Sequence, residues 1–422
     1  MKRLLVGGMT YTPTGFFPLD VLIEDGCVVR IGRELSRSDS PAVLDCSGKY
    51  IVPGFADVHV HLREPGFSYK ETVATGTAAG ARGGYTALCS MPNLNPPPDT
   101  PEHLAVEQEA IRRDARIRVY PYGCITMGQT GRGEVTDMAA LSQAGAVAFS
   151  DDGKGVQQEE RMHEAMERAA ALGQMIVAHC EDESLLTGGW IHEGVYAAAH
   201  GHKGISSASE WKQVERDLKL AEETGCRYHV CHVSTKESVE LIRQAKARGV
   251  RVTCETGPHY LVLCDEDLQE DGRFKMNPPL RGKEDRDALI AGLLDGTVDM
   301  IATDHAPHSA EEKGRGLEKS LMGIVGLETA FPVLYTHLVL PGVLTLEQLV
   351  ERMSVRPRQV FGLAGGLEPG QPADLAVLEL TEEYEIDPGT FLSMGRATPF
   401  AGWKVRGRNT MTMVEGQIVW QE

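Results

Sequence analysis

Ile51-Val52-Pro53-Gly54-Phe55-Ala56-Asp57-Val58-His59-Val60-His61 is an apolar run that ends in two histidines one residue apart. A strand sends alternate side chains to one face, so His59 and His61 stand side by side at its end. Paired imidazoles suit zinc and other transition metals. Two hydrogen-bonded histidines beside a buried strand read the same way, so the pair has meaning only if the chain supplies further ligands.

Seven more short apolar runs follow, at 85–91, 117–122, 146–150, 175–180, 228–233, 250–255 and 298–303, each closed by a polar or Gly/Pro-containing loop. Between them, 159–172, 208–224 and 238–247 carry apolar residues at helical spacing. Eight alternating strand–helix units predict an α/β fold closed as a (β/α)8 TIM-type barrel. An open doubly wound sheet would want a glycine-rich phosphate turn after its first strand. Here that strand runs into Leu62-Arg63-Glu64-Pro65.

The ends of the chain have a different character. Residues 20–29 read as a hairpin with an Asp25-Gly26 turn, and 373–378 and 412–420 are strand-like, the latter with a Glu415-Gly416 turn. The predicted organisation is a small β-sandwich domain formed by both termini, 1–53 and 366–422, flanking a catalytic barrel at 54–365.

The formal charge of −18 argues against nucleic acid or an anionic membrane as the main partner. It does not exclude a small anionic substrate, because local Arg, His and metal charge can reverse the field in a pocket. The nine cysteines form no Cys-x-x-Cys pair, and with no signal peptide or membrane-length apolar run a reduced cytoplasmic setting is expected.

In such barrels the chemistry sits at the C-terminal ends of the strands. The first predicted strand ends in His59 and His61, the fourth in Asp151, the fifth in His179, the sixth in His232 and the eighth in Asp304. Any one of these has an ordinary reading, an N-cap or a hydrogen-bonded imidazole. Four imidazoles and two carboxylates at strand ends together predict a metal site, and six ligands exceed what one catalytic zinc needs. His192, His200 and His202 read as solvated, and His229 is expected on the opposite side of its strand from His232. His259 is left without a role. Cys180 and Cys231 read as buried wall residues.

Residues 57–66, Asp-Val-His-Val-His-Leu-Arg-Glu-Pro-Gly, and 302–309, Ala-Thr-Asp-His-Ala-Pro-His-Ser, resemble the two signatures of dihydroorotases in the amidohydrolase superfamily. Ser90-Met91-Pro92-Asn93, Met276-Asn277-Pro278-Pro279-Leu280-Arg281 and residues 323–329 are similar to the same family, in its long, bacterial type I form. Many relatives in the wider superfamily place a carboxylated Lys at the end of strand four, where this chain has Asp151.

The resemblance implies two zinc ions per subunit. His59, His61 and Asp304 would hold one and His179 and His232 the other, with Asp151 and a hydroxide bridging them. It implies reversible cyclisation of N-carbamoyl-L-aspartate to L-dihydroorotate in pyrimidine (UMP) biosynthesis, with Asp304 as general acid and base. Arg63, Asn93 and His308 are the expected carboxylate contacts, and His61 is also expected to touch substrate. Asn277 and the Met322-Gly323 backbone are expected at the ring edge. A homodimer and a complex with aspartate transcarbamoylase are compatible with it. The alternatives are a hydantoinase- or allantoinase-type cyclic amidase and an inactive scaffold for the transcarbamoylase. Residues 308–319 read either as a mobile lid or as a solvated loop.

Overall fold

Eight short parallel strands carry the middle of the chain: β1 (Phe55–Val60), β2 (Tyr85–Ser90), β3 (Arg118–Pro121, resumed at Gly123–Cys124), β4 (Phe149–Ser150), β5 (Met175–Ala178), β6 (Arg227–Val230), β7 (Val252–Thr256) and β8 (Met300–Ile301). The computed structural model describes residues 2–35 and 42–422, so residues 36–41 of the predicted N-terminal β segment lie outside the described residues.

Each strand pairs in parallel with the next along the chain, from β1 through β8. Just beyond β8, a parallel bridge joins His305 to Val60, and His61 N–H donates to the His305 carbonyl at 2.9 Å. The pairings therefore run as a ring. Inside it pack Ala56, Val58, Ala87, Cys89, Tyr122, Ala148, Val177, Cys231 and Ala302. Most of these are small, which leaves room for Tyr122, whose hydroxyl donates to Val58 O at 2.9 Å.

The predicted helical stretches fold as Glu159–Ala171, Ala208–Thr224 and Lys236–Ala247. Each turns one apolar stripe inward. In Ala208–Thr224 the stripe is Val214, Leu218, Leu220 and Ala221, and burying each larger side chain stabilises by about 1.5–3 kcal/mol. Thr235 caps Lys236–Ala247 by accepting from Ser238 N–H, and Gly225 ends Ala208–Thr224 in a left-handed conformation.

The two ends of the chain share a six-stranded sheet. Tyr50–Pro53 lies antiparallel to Leu375–Glu379, with Ile51 opposite Val377. A four-stranded sheet from Lys2–Val6, Asp20–Glu24, Cys27–Gly32 and Ala42–Asp45 packs against it through Leu5, Val21, Ile23, Ile51, Leu375, Val377 and Met413. Both predicted hairpin turns have positive φ at both central residues, Asp25 (50°) with Gly26 (84°) and Glu415 (48°) with Gly416 (67°). That twist suits a two-residue hairpin. Arg118 of β3 ties the ring to this region by donating to Asp374 and Glu415, each at 2.8 Å. Among the described residues, no helix is long and apolar enough to cross a membrane.

Candidate metal centre

The strand ends bring His59, His61, His179 and His232 together around one carboxylate, that of Asp152. Its Oδ1 lies 3.3 Å from His59 Nε2, 3.4 Å from His232 Nε2 and 3.6 Å from His179 Nδ1, and its Oδ2 lies 3.5 Å from His61 Nε2. Asp304 Oδ1 closes the group at 3.1 Å from His61 Nε2 and 3.5 Å from His59 Nε2. All six side chains are buried.

Two atoms at the middle of this group, His59 Nε2 and Asp152 Oδ1, have no hydrogen-bond partner despite being buried and close. Buried polar atoms are otherwise almost always paired. Lone pairs that converge without bonding each other suit a cation placed among them. The donor set, imidazole and carboxylate, is that of zinc and its neighbours. Among the described residues, three groups, His59/His61/Asp304, His59/Asp152/His232 and His59/Cys231/Glu255, have ligand atoms close enough to share an ion.

Asp151, predicted as the bridging carboxylate, faces elsewhere. Its oxygens accept from Ile125 N (2.9 Å), Thr126 N (3.1 Å), Gly131 N (3.2 Å) and the Thr126 hydroxyl. It organises the 125–131 loop, and burial raises its pKa to about 6 despite these donors. The cause is geometric. β4 stops at Ser150, and the chain turns there. Asp152 N–H donates to Ser150 Oγ at 3.0 Å, while its carbonyl accepts from Asn93 Nδ2 (2.6 Å) and Gln129 Nε2 (2.7 Å). The second Asp, not the first, is swung among the imidazoles.

Glu255, at the end of the predicted seventh strand, joins the centre although nothing in its local sequence singles it out. Its Oε1 accepts from His59 Nδ1 at 2.6 Å, and its Oε2 lies 3.1 Å from His229 Nε2. A carboxylate on the far nitrogen fixes the tautomer and turns Nε2 toward the ligand position. His229 is thus inside the ring beneath the site, contrary to the expectation from alternation. The strand ends at Val230, and His232 sits at φ 32°, so the period of two does not extend to it. His192 is half-buried against Arg281 (3.3 Å) instead of solvated, whereas His200 is exposed. Cys231 and Cys180 are buried as expected, with thiol pKa values raised by burial.

Strain marks the same residues. Arg63 (φ 63°), His232 and Asp304 (φ 48°) are non-glycine residues with left-handed backbone. Such positions cost of order 1–3 kcal/mol and persist where the surroundings over-determine them.

The residues expected to meet substrate lie around this centre. Arg63 donates from Nε to Pro307 O at 3.2 Å and lies against His308. Its neighbour Glu64 turns away, pairing with Arg113 at 3.2 Å and accepting from Val73 N. His308 Nε2 is 2.8 Å from Met322 O, beside Gly323, whose φ of 134° and closeness to Ala306 O favour glycine. Asn277 Nδ2 donates to Glu181 Oε2 at 3.2 Å, and Glu181 in turn faces His179 Nε2 at 3.5 Å. His259 is buried with an unpartnered Nε2, and burial holds its pKa down at about 4.

A family model described as Dihydro-orotase-like matches residues 48–238. The dihydroorotase of Bacillus caldolyticus is 54% identical over 421 residues, covering 99% of this chain and 98% of the relative. That of Bacillus cereus (strain AH820) is 53% identical over 405 residues, 96% of this chain and 94% of the relative. Among solved structures, the L-hydantoinase (dihydropyrimidinase) of Arthrobacter aurescens superposes with a TM-score of 0.90 at 29% identity, covering 99% of this chain and 96% of that one. The dihydropyrimidinase of Brevibacillus agri NCHU1002 shares the fold, with a TM-score of 0.87 at 24% identity, 100% of this chain and 95% of that one. By identity over nearly its full length, the chain belongs to the dihydroorotase family.

Proposed function

We propose that His59, His61 and Asp304 hold one divalent metal ion and His179 and His232 a second, with Asp152 shared between them, and that zinc is the metal. The convergence of four imidazoles on Asp152, with His59 Nε2 and Asp152 Oδ1 left unpartnered, carries this reading. The ring of strands is read as a closed (β/α)8 barrel with the centre at the carboxyl ends of its strands. The enzyme is a hydrolase acting on a cyclic amide bond. Dihydroorotase is favoured over hydantoinase because relatives at 53–54% identity bear the former name and the hydantoinase structure is only 29% identical.

When bound, such a metal pair acidifies water and polarises an amide carbonyl. The chain's residues do the rest. Asp304 takes the proton from the attacking water as the new C–O bond forms. It passes that proton to the ring nitrogen as the C–N bond breaks, giving N-carbamoyl-L-aspartate from L-dihydroorotate. In the closing direction Asp304 starts protonated. Arg63 offers a planar fork to the substrate carboxylate, with Asn93 and His308 beside it. Asn277 and the Met322-Gly323 backbone meet the ring edge.

The test is one metal-analysed preparation assayed on L-dihydroorotate, hydantoin and allantoin. Turnover of dihydroorotate alone, with two zinc per chain, is the expected result. Preference for hydantoin would overturn the substrate, and one metal per chain would overturn the pair. Gel filtration with and without an aspartate transcarbamoylase tests the two assemblies compatible with the family.

A further inference from the structure

Lys70 is a cation in an unusual place. It is 8% exposed, it pairs with Glu312, and it shares the contact with His308 that Arg63 makes. Its Nζ is 3.2 Å from His308 Nδ1 and 3.1 Å from Glu312 Oε1, and Tyr69 Oη donates to the same Glu312 oxygen at 3.3 Å. The Phe67 and Tyr69 rings stand 5.7 and 5.5 Å from the ammonium.

These contacts decide the state of His308. On its other side Nε2 lies 2.8 Å from Met322 O, the shortest of the imidazole's contacts. A carbonyl only accepts, so Nε2 carries a proton. An ammonium only donates, so the nitrogen facing Lys70 must accept. Glu312 Oε2 lies slightly farther from Nδ1, at 3.3 Å, and also accepts Ser309 N–H at 3.0 Å. Arg63 Nη2, 3.4 Å from Nε2, adds a second positive charge, and Lys313 a third.

We infer that Lys70 is a positioning residue for the substrate carboxylate: it keeps His308 neutral, with its proton on Nε2, and Glu312 of the 308–319 segment holds Lys70 in place. Burial, followed by the Arg63 and Lys70 charges, brings the imidazole pKa down to about 3, in keeping with that geometry. The inference rests on the reading that His308 meets the carboxylate. It adds a consequence for binding. His308 Nε2–H is committed to Met322 O until a carboxylate replaces that carbonyl. The freed Met322 O can then accept a ring N–H of the same substrate. One ligand bearing both a carboxylate and an adjacent amide N–H satisfies both groups; a cyclic amide without the carboxylate leaves His308 where it is.

The test compares Lys70→Met and Lys70→Arg with the unaltered zinc enzyme. The KM for L-dihydroorotate is measured from pH 5.5 to 9, and long-range 1H–15N NMR is recorded on 15N-histidine protein, with His308→Asn assigning the signal. The expected NMR result is an Nε2–H tautomer that does not titrate above pH 5.5, retained in Lys70→Arg. In Lys70→Met the imidazole pKa rises, with burial and the Arg63 charge still holding it below the ordinary histidine value. The KM of Lys70→Met should exceed that of the unaltered enzyme by roughly tenfold at pH 8, with the ratio falling toward the acid end of the range as the variant's His308 gains charge. A pH-independent ratio, an Nδ1–H tautomer, or equal losses in kcat and kcat/KM would each overturn the inference. If His308→Asn leaves KM unchanged while NMR shows the expected tautomer, what fails is the carboxylate reading and not the role of Lys70 toward His308.

Discussion

Asp151 and Asp152 are neighbours with the same side chain and opposite duties. Asp151 is spent on backbone N–H groups of the 125–131 loop, and Asp152 on imidazoles. Substituting each by Asn separates the two. Asp152→Asn should drop the zinc content from two per chain to one or fewer and abolish turnover, with little change in the metal-free protein's stability. Asp151→Asn should keep its zinc, because no ligand is lost. It should cost about 1–3 kcal/mol of stability, since an amide cannot accept from so many donors at once. Elemental analysis and denaturant unfolding of both variants check this. The same local turn explains why Asp152, and not the strand-end Asp151, meets the imidazoles. Alternation is reliable only while the strand lasts, and β4 is two residues long.

The segment that was open between lid and solvated loop proves to be two short helices, Ala310–Lys313 and Gly316–Lys319, pinned from below. Lys313, only 7% exposed, donates to Lys275 O at 2.9 Å and Leu321 O at 2.8 Å. Lys275 Nζ donates to Glu318 O at 2.5 Å, and Lys275 O also receives Gly323 N–H at 3.1 Å. One ammonium thus sets the position of the Met322-Gly323 backbone. Lys313→Met should raise KM for dihydroorotate roughly tenfold, with a smaller change in kcat, because the binding backbone is loosened and the proton-transfer group is not. Limited proteolysis should cut between residues 308 and 321 in the variant and not in the unaltered protein. Sequence composition, polar and glycine-hinged, did not reveal this clamp. Its acceptors are carbonyls of residues 275 and 321, which any side chain could accompany.

At the scale of the molecule, the centre collects charge that the fold alone has no use for. Without metal, four imidazoles and two carboxylates are buried together. Metal bound a thousandfold above its dissociation constant stabilises by about 4 kcal/mol, so chelation should lower Tm by roughly 5–10 °C. Protons compete for the imidazoles, so zinc should be retained above and released progressively below about pH 6. Calorimetry with and without chelator, and zinc content after dialysis across pH, test these two outcomes. An unchanged Tm on complete zinc removal would deny the metal any part in stability.

The sequence by itself determined the period of the strands, the two hairpins with their Asp-Gly and Glu-Gly turns, and five of the six residues at the centre. These follow from local rules: alternation, turn chemistry, and imidazoles placed where apolar runs stop. Only the tertiary structure decided that Asp152 and not Asp151 meets the imidazoles, that Glu255 lies on His59, that His229 faces inward, and that Lys70 and Lys313 lie against His308 and the 275 and 321 carbonyls. Each of these depends on where a chain turns after its strand or on a carbonyl distant in sequence. A residue's type does not encode which backbone group will lie opposite it; packing does.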